Sequence, residues 1–388
     1  MKYQTNSARS ATLATSLLMV LGVNLASAAV ASAQTYVLID LTPDAGNAAA
    51  TDFSNGVAAG YASLGVFGTA YRASLWDGID AIDLHPSALV DDPLTGSVGR
   101  SSILGGSVGL QVGWVAGTPT GGRAVPALWR GTAESATLLT IPFVNFGGQA
   151  NATDGAQVVG YATGQDRDGT TFGPSQAVLW DAATGVGVSL GDGGNPSIAY
   201  GVGGGAQVGL VNKGTVSAAL WRGSAKSLVN LHPKNAVVSV ANATDGVRQA
   251  GYAGYDVRVR VEAAKGNKDK RFNYAMLWSG SAASAVNLHP FPVNAMPGVS
   301  LTQSYALGMN GSWIVGYATD ANKSGSPAAA HAIIWDSQFQ SLDLNAFLPG
   351  GFVGAQAVSV DEQGNVSGFM SKIDGTRHAV LWRVSAPE

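Results

Sequence analysis

The chain contains no cysteine. That excludes a disulfide framework, a thiolate nucleophile, a cysteine-based zinc site and a lipidated N-terminal cysteine. Charge is scarce as well: Asp, Glu, Lys and Arg make up 12% of 388 residues, against a usual share of about 25%. There is no basic excess, since 22 Lys and Arg face 25 Asp and Glu for a net charge of −3. Nothing here gives the electrostatic footprint of a nucleic-acid binder. A phosphate loop, an HExxH helix and zinc-ligand spacings are also missing, so no cofactor is expected. With neither disulfides nor metal to staple it, the fold must rest on its core. Abundant glycine, 52 residues, among Val, Thr, Ser and Ala fits an all-β chain with many tight turns.

The N-terminus has the layout of a signal peptide. Lys2 and Arg9 form a positive start, residues 11–30 are uncharged, and Leu17-Leu18-Met19-Val20-Leu21 lies at their centre. Ala31-Ser32-Ala33 then offers an A-x-A cleavage site, which makes 1–33 the exported leader and 34–388 the mature chain. The alternative is an uncleaved anchor, because about 20 uncharged residues can just span a bilayer. Its alanine and serine make that run weakly hydrophobic, and no second spanning stretch follows. The mature chain is therefore expected to carry no membrane span. It keeps 20 basic residues against 25 acidic ones, because Lys2 and Arg9 are lost.

What is present in quantity is repetition. A strand-like Ala-x-Leu-Trp pattern recurs seven times and ends at Trp76, Trp129, Trp180, Trp221, Trp278, Trp335 and Trp382. Successive tryptophans stand 53, 51, 41, 57, 57 and 47 residues apart. Before each lies a Gly followed by an aromatic or apolar residue, at Gly60, Gly113, Gly160, Gly209, Gly251, Gly316 and Gly368. Turns rich in Asp, Asn and Gly precede those, as in Asn151-Ala152-Thr153-Asp154-Gly155. Eight to ten residues after the tryptophan comes a leucine, often as Leu-His-Pro at Leu84, Leu231 and Leu288. Four short strands per unit of about 40–50 residues is the blade of a β-propeller. The Ala-x-Leu-Trp strand is apolar on both faces, as a strand sandwiched between neighbouring blades should be.

Seven Gly-Tyr and seven Leu-Trp strands predict seven blades. After Trp382 only six residues remain, too few for a fourth strand. The segment Tyr36–Leu41 has the same Leu-x-Pro ending with no tryptophan strand ahead of it. It is expected to complete the last blade and close the ring, because an open ring would leave two unpaired sheet edges.

The repeat resembles that of the HAF family of extracellular proteins, named for a His-Ala-Phe motif. The match rests on Val-Val-Gly-Tyr followed by His-Ala-x-x-Trp, best seen at His331-Ala332-Ile333-Ile334-Trp335-Asp336 and His378-Ala379-Val380-Leu381-Trp382. It spans nearly all of residues 36–384. The other five units carry Arg72, Pro126, Gln176, Ser217 or Tyr274 where the histidine would stand, and none has Phe after Ala. The resemblance implies bacterial export and a propeller-like fold, and it brings no biochemical activity with it.

Several residues invite a functional reading. From the Gly of Gly-Tyr to the tryptophan the count is 16, 16, 20, 12, 27, 19 and 14, so the loops on one face vary while the turns on the other are uniform. The variable face is the expected working face. The seven tryptophans are expected in the core; a ring of sugar-stacking indoles would require them exposed. His331 and His378 are expected to bond between blades, and the Leu-His-Pro histidines to sit apart on the rim. Asp166-Arg167-Asp168-Gly169 is a weak calcium-like cluster, and Asp91-Asp92 is a carboxylate pair without a mate.

The most unusual segment is 256–272, with Arg258, Arg260, Lys268 and Lys270 among its six basic residues. Its Val-Arg-Val-Arg-Val alternation predicts a hairpin turning at Gly266-Asn267 and extending beyond its blade. One reading is a charged edge that prevents aggregation. The other is a contact for an acidic partner, an anionic surface polymer or protein. Together these features predict a secreted, non-enzymatic binding or scaffolding module at the bacterial surface or outside the cell. The alternative is a propeller enzyme acting on extracellular glycans or other polymers, which would need convergent carboxylates or a metal at the channel mouth.

Overall fold

Seven antiparallel sheets of four strands each make up a seven-bladed β-propeller. The computed structural model describes residues 34–42, 47–63, 71–140, 145–164, 173–261, 266–289, 301–320 and 330–385, with the side chains of 145–146 and 258–269 excepted. The expected 1–33 leader and the 166–169 segment lie outside the described residues.

Blade 1 runs from the axis outward through Ala48–Ser54, Val57–Ser63, Tyr71–Asp77 and Asp80–Asp83. The innermost strands of blades 2 to 7 are Arg100–Ser107, Asn145–Thr153, Ser197–Gly203, Val238–Thr244, Gln303–Asn310 and Phe352–Val360. Blade 7 is closed as expected: Tyr36–Asp40 pairs antiparallel with Arg377–Val384, placing Leu38 opposite Trp382. The Tyr36 hydroxyl donates to the Gly364 carbonyl at 3.2 Å, and the Ala379 amide donates to Thr42 Oγ1 at 2.8 Å. The first and last strands of the propeller thus share one sheet.

Close approach explains the recurring Gly before the aromatic. At all seven positions a Cβ would lie 1.9–2.0 Å from a carbonyl oxygen of the innermost strand, for example Ala49 O at Gly60. No side chain fits, so the sequence places glycine there each time. Each innermost strand also carries one β-bulge at an equivalent place, between Ala50 and Asp52 in blade 1 and between Ala150 and Ala152 in blade 3. Bulges tighten strand twist, which lets seven inner strands converge on one axis.

The core lies between blades. All seven motif tryptophans are at most 1% exposed. Trp129 of blade 2 packs with Leu75 and Leu84 of blade 1, and Trp76 packs with Ala379 and Leu381 of blade 7. Three indole N–H groups donate back to the preceding blade, as Trp129 does to Leu84 O at 3.0 Å and Trp335 to Leu288 O at 3.0 Å. The exposed indole ring required for lectin-like stacking is therefore not formed by these residues.

Candidate functional site

Among the described residues, two departures from the ring's repetition bear on function. The first is blade 5, whose second and third strands, Gln249–Val261 and Gly266–Trp278, each span 13 residues. Pairing with the innermost strand stops at Val238 opposite Gly254, yet the two long strands continue in register to Val261 opposite Gly266. Seven further residue pairs make a free two-stranded ribbon of about 20 Å. It leaves the blade by the connection between the second and third strands, the end that carries the variable loops. At its base Tyr255 and Tyr274 stack at 6.0 Å, and Tyr274 lies 4.9 Å from His289.

The ribbon corrects one expectation. Gly266 and Asn267 are strand residues, paired with Val261 and Arg260, and so are not the turn. In the ladder Arg258 stands opposite Asp269, Val259 opposite Lys268, Arg260 opposite Asn267 and Val257 opposite Lys270. Arg271 Nε bonds Asp256 at 3.2 Å, and Lys270 and Arg271 are exposed. The sequence signal was the period-two alternation; the pairing partner that decides each face was invisible in it.

The second place is the axis. A cavity of about 450 Å³ is lined by all seven innermost strands over their final residues, next to the uniform tight turns. It thus lies toward the face opposite the ribbon. Bulge residues supply much of its wall: Thr51, Leu104, Asn151, Tyr200, Asn242, Leu307 and Val358. Three of them tie neighbouring blades together. Thr51 Oγ1 donates to Ile103 O at 2.8 Å, Asn151 Nδ2 to Ala199 O at 2.7 Å, and Asn242 Nδ2 to Ala306 O at 2.8 Å. Tyr200 is half-buried there; burial first, then the nearby Tyr252 and Tyr161, pushes its phenol up.

The residue after each bulge is small in six blades: Gly105, Ala152, Gly201, Ala243, Gly308 and Ser359. Blade 1 has Asp52 instead. Its Oδ1 accepts the Ser359 hydroxyl of blade 7 at 3.1 Å, and the amides of Phe53 and Gly106 also donate to it. Gly106 makes the room, since a Cβ there would lie 2.9 Å from Asp52 Oδ2. All three donors are neutral. Burial outweighs them and pushes the carboxyl up to about 7. Sequence reasoning passed over Asp52, although it stands where the Asn-Ala-Thr-Asp turns of blades 3 and 5 have alanine.

The histidines exchange the roles expected of them. His331 Nδ1 meets Asp343 at 2.7 Å and His378 Nδ1 meets Asp40 at 2.8 Å, each within its own blade. Arg72 makes the same third-to-outermost-strand pair with Asp83 at 2.6 Å. The Leu-His-Pro histidines are the ones that bridge blades. The Nδ1 atoms of His85, His232 and His289 lie 2.8 Å from Ser101, Ser239 and Ser304 on the next innermost strand. Each of those serines also accepts an amide of the preceding blade, from Ala73, Ala218 and Ala275. The motif follows its strand rather than ending it: Leu84 N–H completes the ladder to Ala73 O, and the histidine then turns into the next blade. Burial pushes the His289 imidazole down to about 4.

Other chemical candidates are absorbed by local structure. Asp91 accepts from Gly99 N–H at 2.6 Å and lies 3.1 Å from His85 Nε2, while Asp92 organises the turn at Leu94 and Thr95. Gly105-Gly106-Ser107-Val108-Gly109 has nucleophile-elbow spacing, but Ser107 ends one antiparallel strand and opens a tight turn into the next. A nucleophile elbow requires a strand-to-helix turn.

No protein-family model and no curated protein matches the chain. Among solved structures, the β-propeller domain of the Trilobed protease from Pyrococcus furiosus aligns with 10% identity and a TM-score of 0.49, covering 91% of this chain and all of that one. TolB from Acinetobacter baumannii aligns with 11% identity and a TM-score of 0.36, covering 84% of this chain and 64% of that chain. The polysaccharide lyase Uly1 aligns with 7% identity and a TM-score of 0.45, covering 88% of this chain and 90% of that chain.

Proposed function

We propose that the protein is an exported, non-enzymatic propeller of the HAF type that binds an anionic polymer or protein at the bacterial surface or outside the cell. The observation that carries this reading is the blade 5 ribbon. Among the described residues the closed ring presents one long arm, and that arm holds Arg258, Arg260, Lys268, Lys270 and Arg271. Basic residues on both strands of the ribbon suit a flexible polyanion that can wrap the arm, since steering by charge is non-directional. The N-terminal leader pattern and the repeat resemblance support export. Support for a binding role over an enzymatic one comes from the ionisable groups: all five histidines hold hydrogen bonds that fasten strands or blades.

The test is retention of the mature chain on an anionic polysaccharide matrix across a salt gradient. The parent should bind at low salt and elute as salt rises, because exposed charges are screened beyond about 8–10 Å at physiological ionic strength. Replacing Arg258, Arg260, Lys268 and Lys270 by Ser should abolish retention. Each substitution on a ribbon that projects beyond its blade should shift stability by less than about 0.5 kcal/mol, so the melting curve should hold. A variant retained as strongly as the parent would return the ribbon to a solubilising edge.

A further inference from the structure

From the axial cavity, we infer that the propeller has a second binding site, on the face opposite the ribbon, that takes a small organic cation with Asp52 as its counter-charge. Three features of the cavity carry this. First, its size, about 450 Å³, suits a small molecule; a bare metal ion would occupy a small fraction of it. Second, the lining contains Asp52, Asp154 and Asp245 and no lysine or arginine. Third, Asp52 occupies a position where the other six blades have Gly, Ala or Ser, so the ring's pseudo-symmetry is broken there by one carboxylate.

The three carboxylates are not equivalent. Asp245 already pairs with Arg248 at 2.8 Å. Asp154 lies at the turn, where its Oδ1 accepts the amides of Ala156 and Gln157. Asp52 sits deeper, held by a hydroxyl and two amides that carry no charge. These donors fix its direction without neutralising it. Tyr200 is among the lining residues of the same cavity, and Asn151 and Asn242 have amide hydrogens already committed to backbone carbonyls. An alkylammonium group can therefore exchange part of its hydration for the Asp52 carboxylate, since the lining holds no lysine or arginine that would compete for it.

The site should titrate. The residues packed directly on Asp52, Phe53, Gly106 and Ser359, bear no ionisable side chain. The other titratable groups of the cavity are Asp154, Asp245 with its Arg248, and Tyr200. Burial holds the Asp52 carboxyl up at about 7, well above the usual carboxylate range. A bound cation favours the carboxylate, so binding should expel a proton and strengthen as pH rises.

The experiment is titration calorimetry of the full mature chain with n-butylammonium chloride, using 1-butanol as the neutral control and calcium chloride as a metal control. Butylammonium stays charged throughout, since an alkyl ammonium titrates near about 10.4. Affinity should rise about ten-fold from pH 6 to pH 8, the change in carboxylate fraction for a group titrating near 7. Asp52→Asn should lower affinity at pH 8 at least ten-fold and remove the pH dependence. The same variant should melt at or above the parent's temperature at pH 8, because it removes a buried charge. Equal binding of 1-butanol, preference for calcium, unchanged affinity in Asp52→Asn, or no binding at any pH would each overturn the proposal. Failure of ribbon retention would leave it standing, because the two sites lie on opposite faces.

Discussion

Two layers of the ring obey opposite rules. In the tryptophan layer, the third strand of every blade presents the same indole, all of them buried between blades. In the channel layer, the bulge of every innermost strand presents Thr51, Leu104, Asn151, Tyr200, Asn242, Leu307 or Val358. The first layer solves one packing problem seven times, so one residue suffices. The second encloses a single space, and seven strands share in shaping it. Repetition in this chain marks what holds the blades together. Departure from repetition marks where the molecule can discriminate.

That contrast can be broken or sharpened by measurement. The largest effect should follow deletion of residues 34–43. It strips blade 7 of its outermost strand, with the buried Tyr36 and Leu41 and the bonds of Asp40 and Thr42. A loss of more than about 5 kcal/mol is expected from the apolar side chains alone, read as a large fall in denaturant midpoint. Stability equal to the parent's would mean the ring does not depend on its seam. Next comes Trp180→Ala, which should cost roughly 3–5 kcal/mol by emptying a large aromatic site. The smallest effect should be Tyr200→Thr in the channel layer, within about 1 kcal/mol because the phenol is half-exposed. Should Tyr200→Thr cost as much as Trp180→Ala by chemical denaturation, the division between a packing layer and a shaping layer would fail.

The same division explains which features were readable in advance. Blade number, strand order and the seam follow from seven tryptophans, seven glycines and an unpaired N-terminal Leu-x-Pro. These are local patterns repeated often enough to stand out. The histidine roles were not readable. Whether His331 faces its own blade's Asp343 or the next blade depends on which side of the strand faces outward. The serines that receive His232 and His289 lie 7 and 15 residues on, in strands with no motif of their own. Asp52 was the hardest case. Its burial is created by Gly106 and by Ser359, the latter 307 residues away. A lone aspartate before an Asn-Gly turn looks like any other turn residue until the ring brings those two together.

The seam sets a clock on the folding of this molecule. Tyr36 and Gly364, joined by the hydroxyl bond that seals blade 7, are separated by 328 residues. At synthesis rates of about 5–20 residues per second, the first strand waits roughly 15–65 s before its partner exists. Blades 1 to 6 consist of consecutive strands and can form in the order they emerge. Throughout that interval the growing array keeps an uncovered blade face at each end, and the waiting strand has no sheet to join. Holding Tyr36–Asp40 away from other edges during those seconds is therefore a demand on whatever accompanies the chain before it closes.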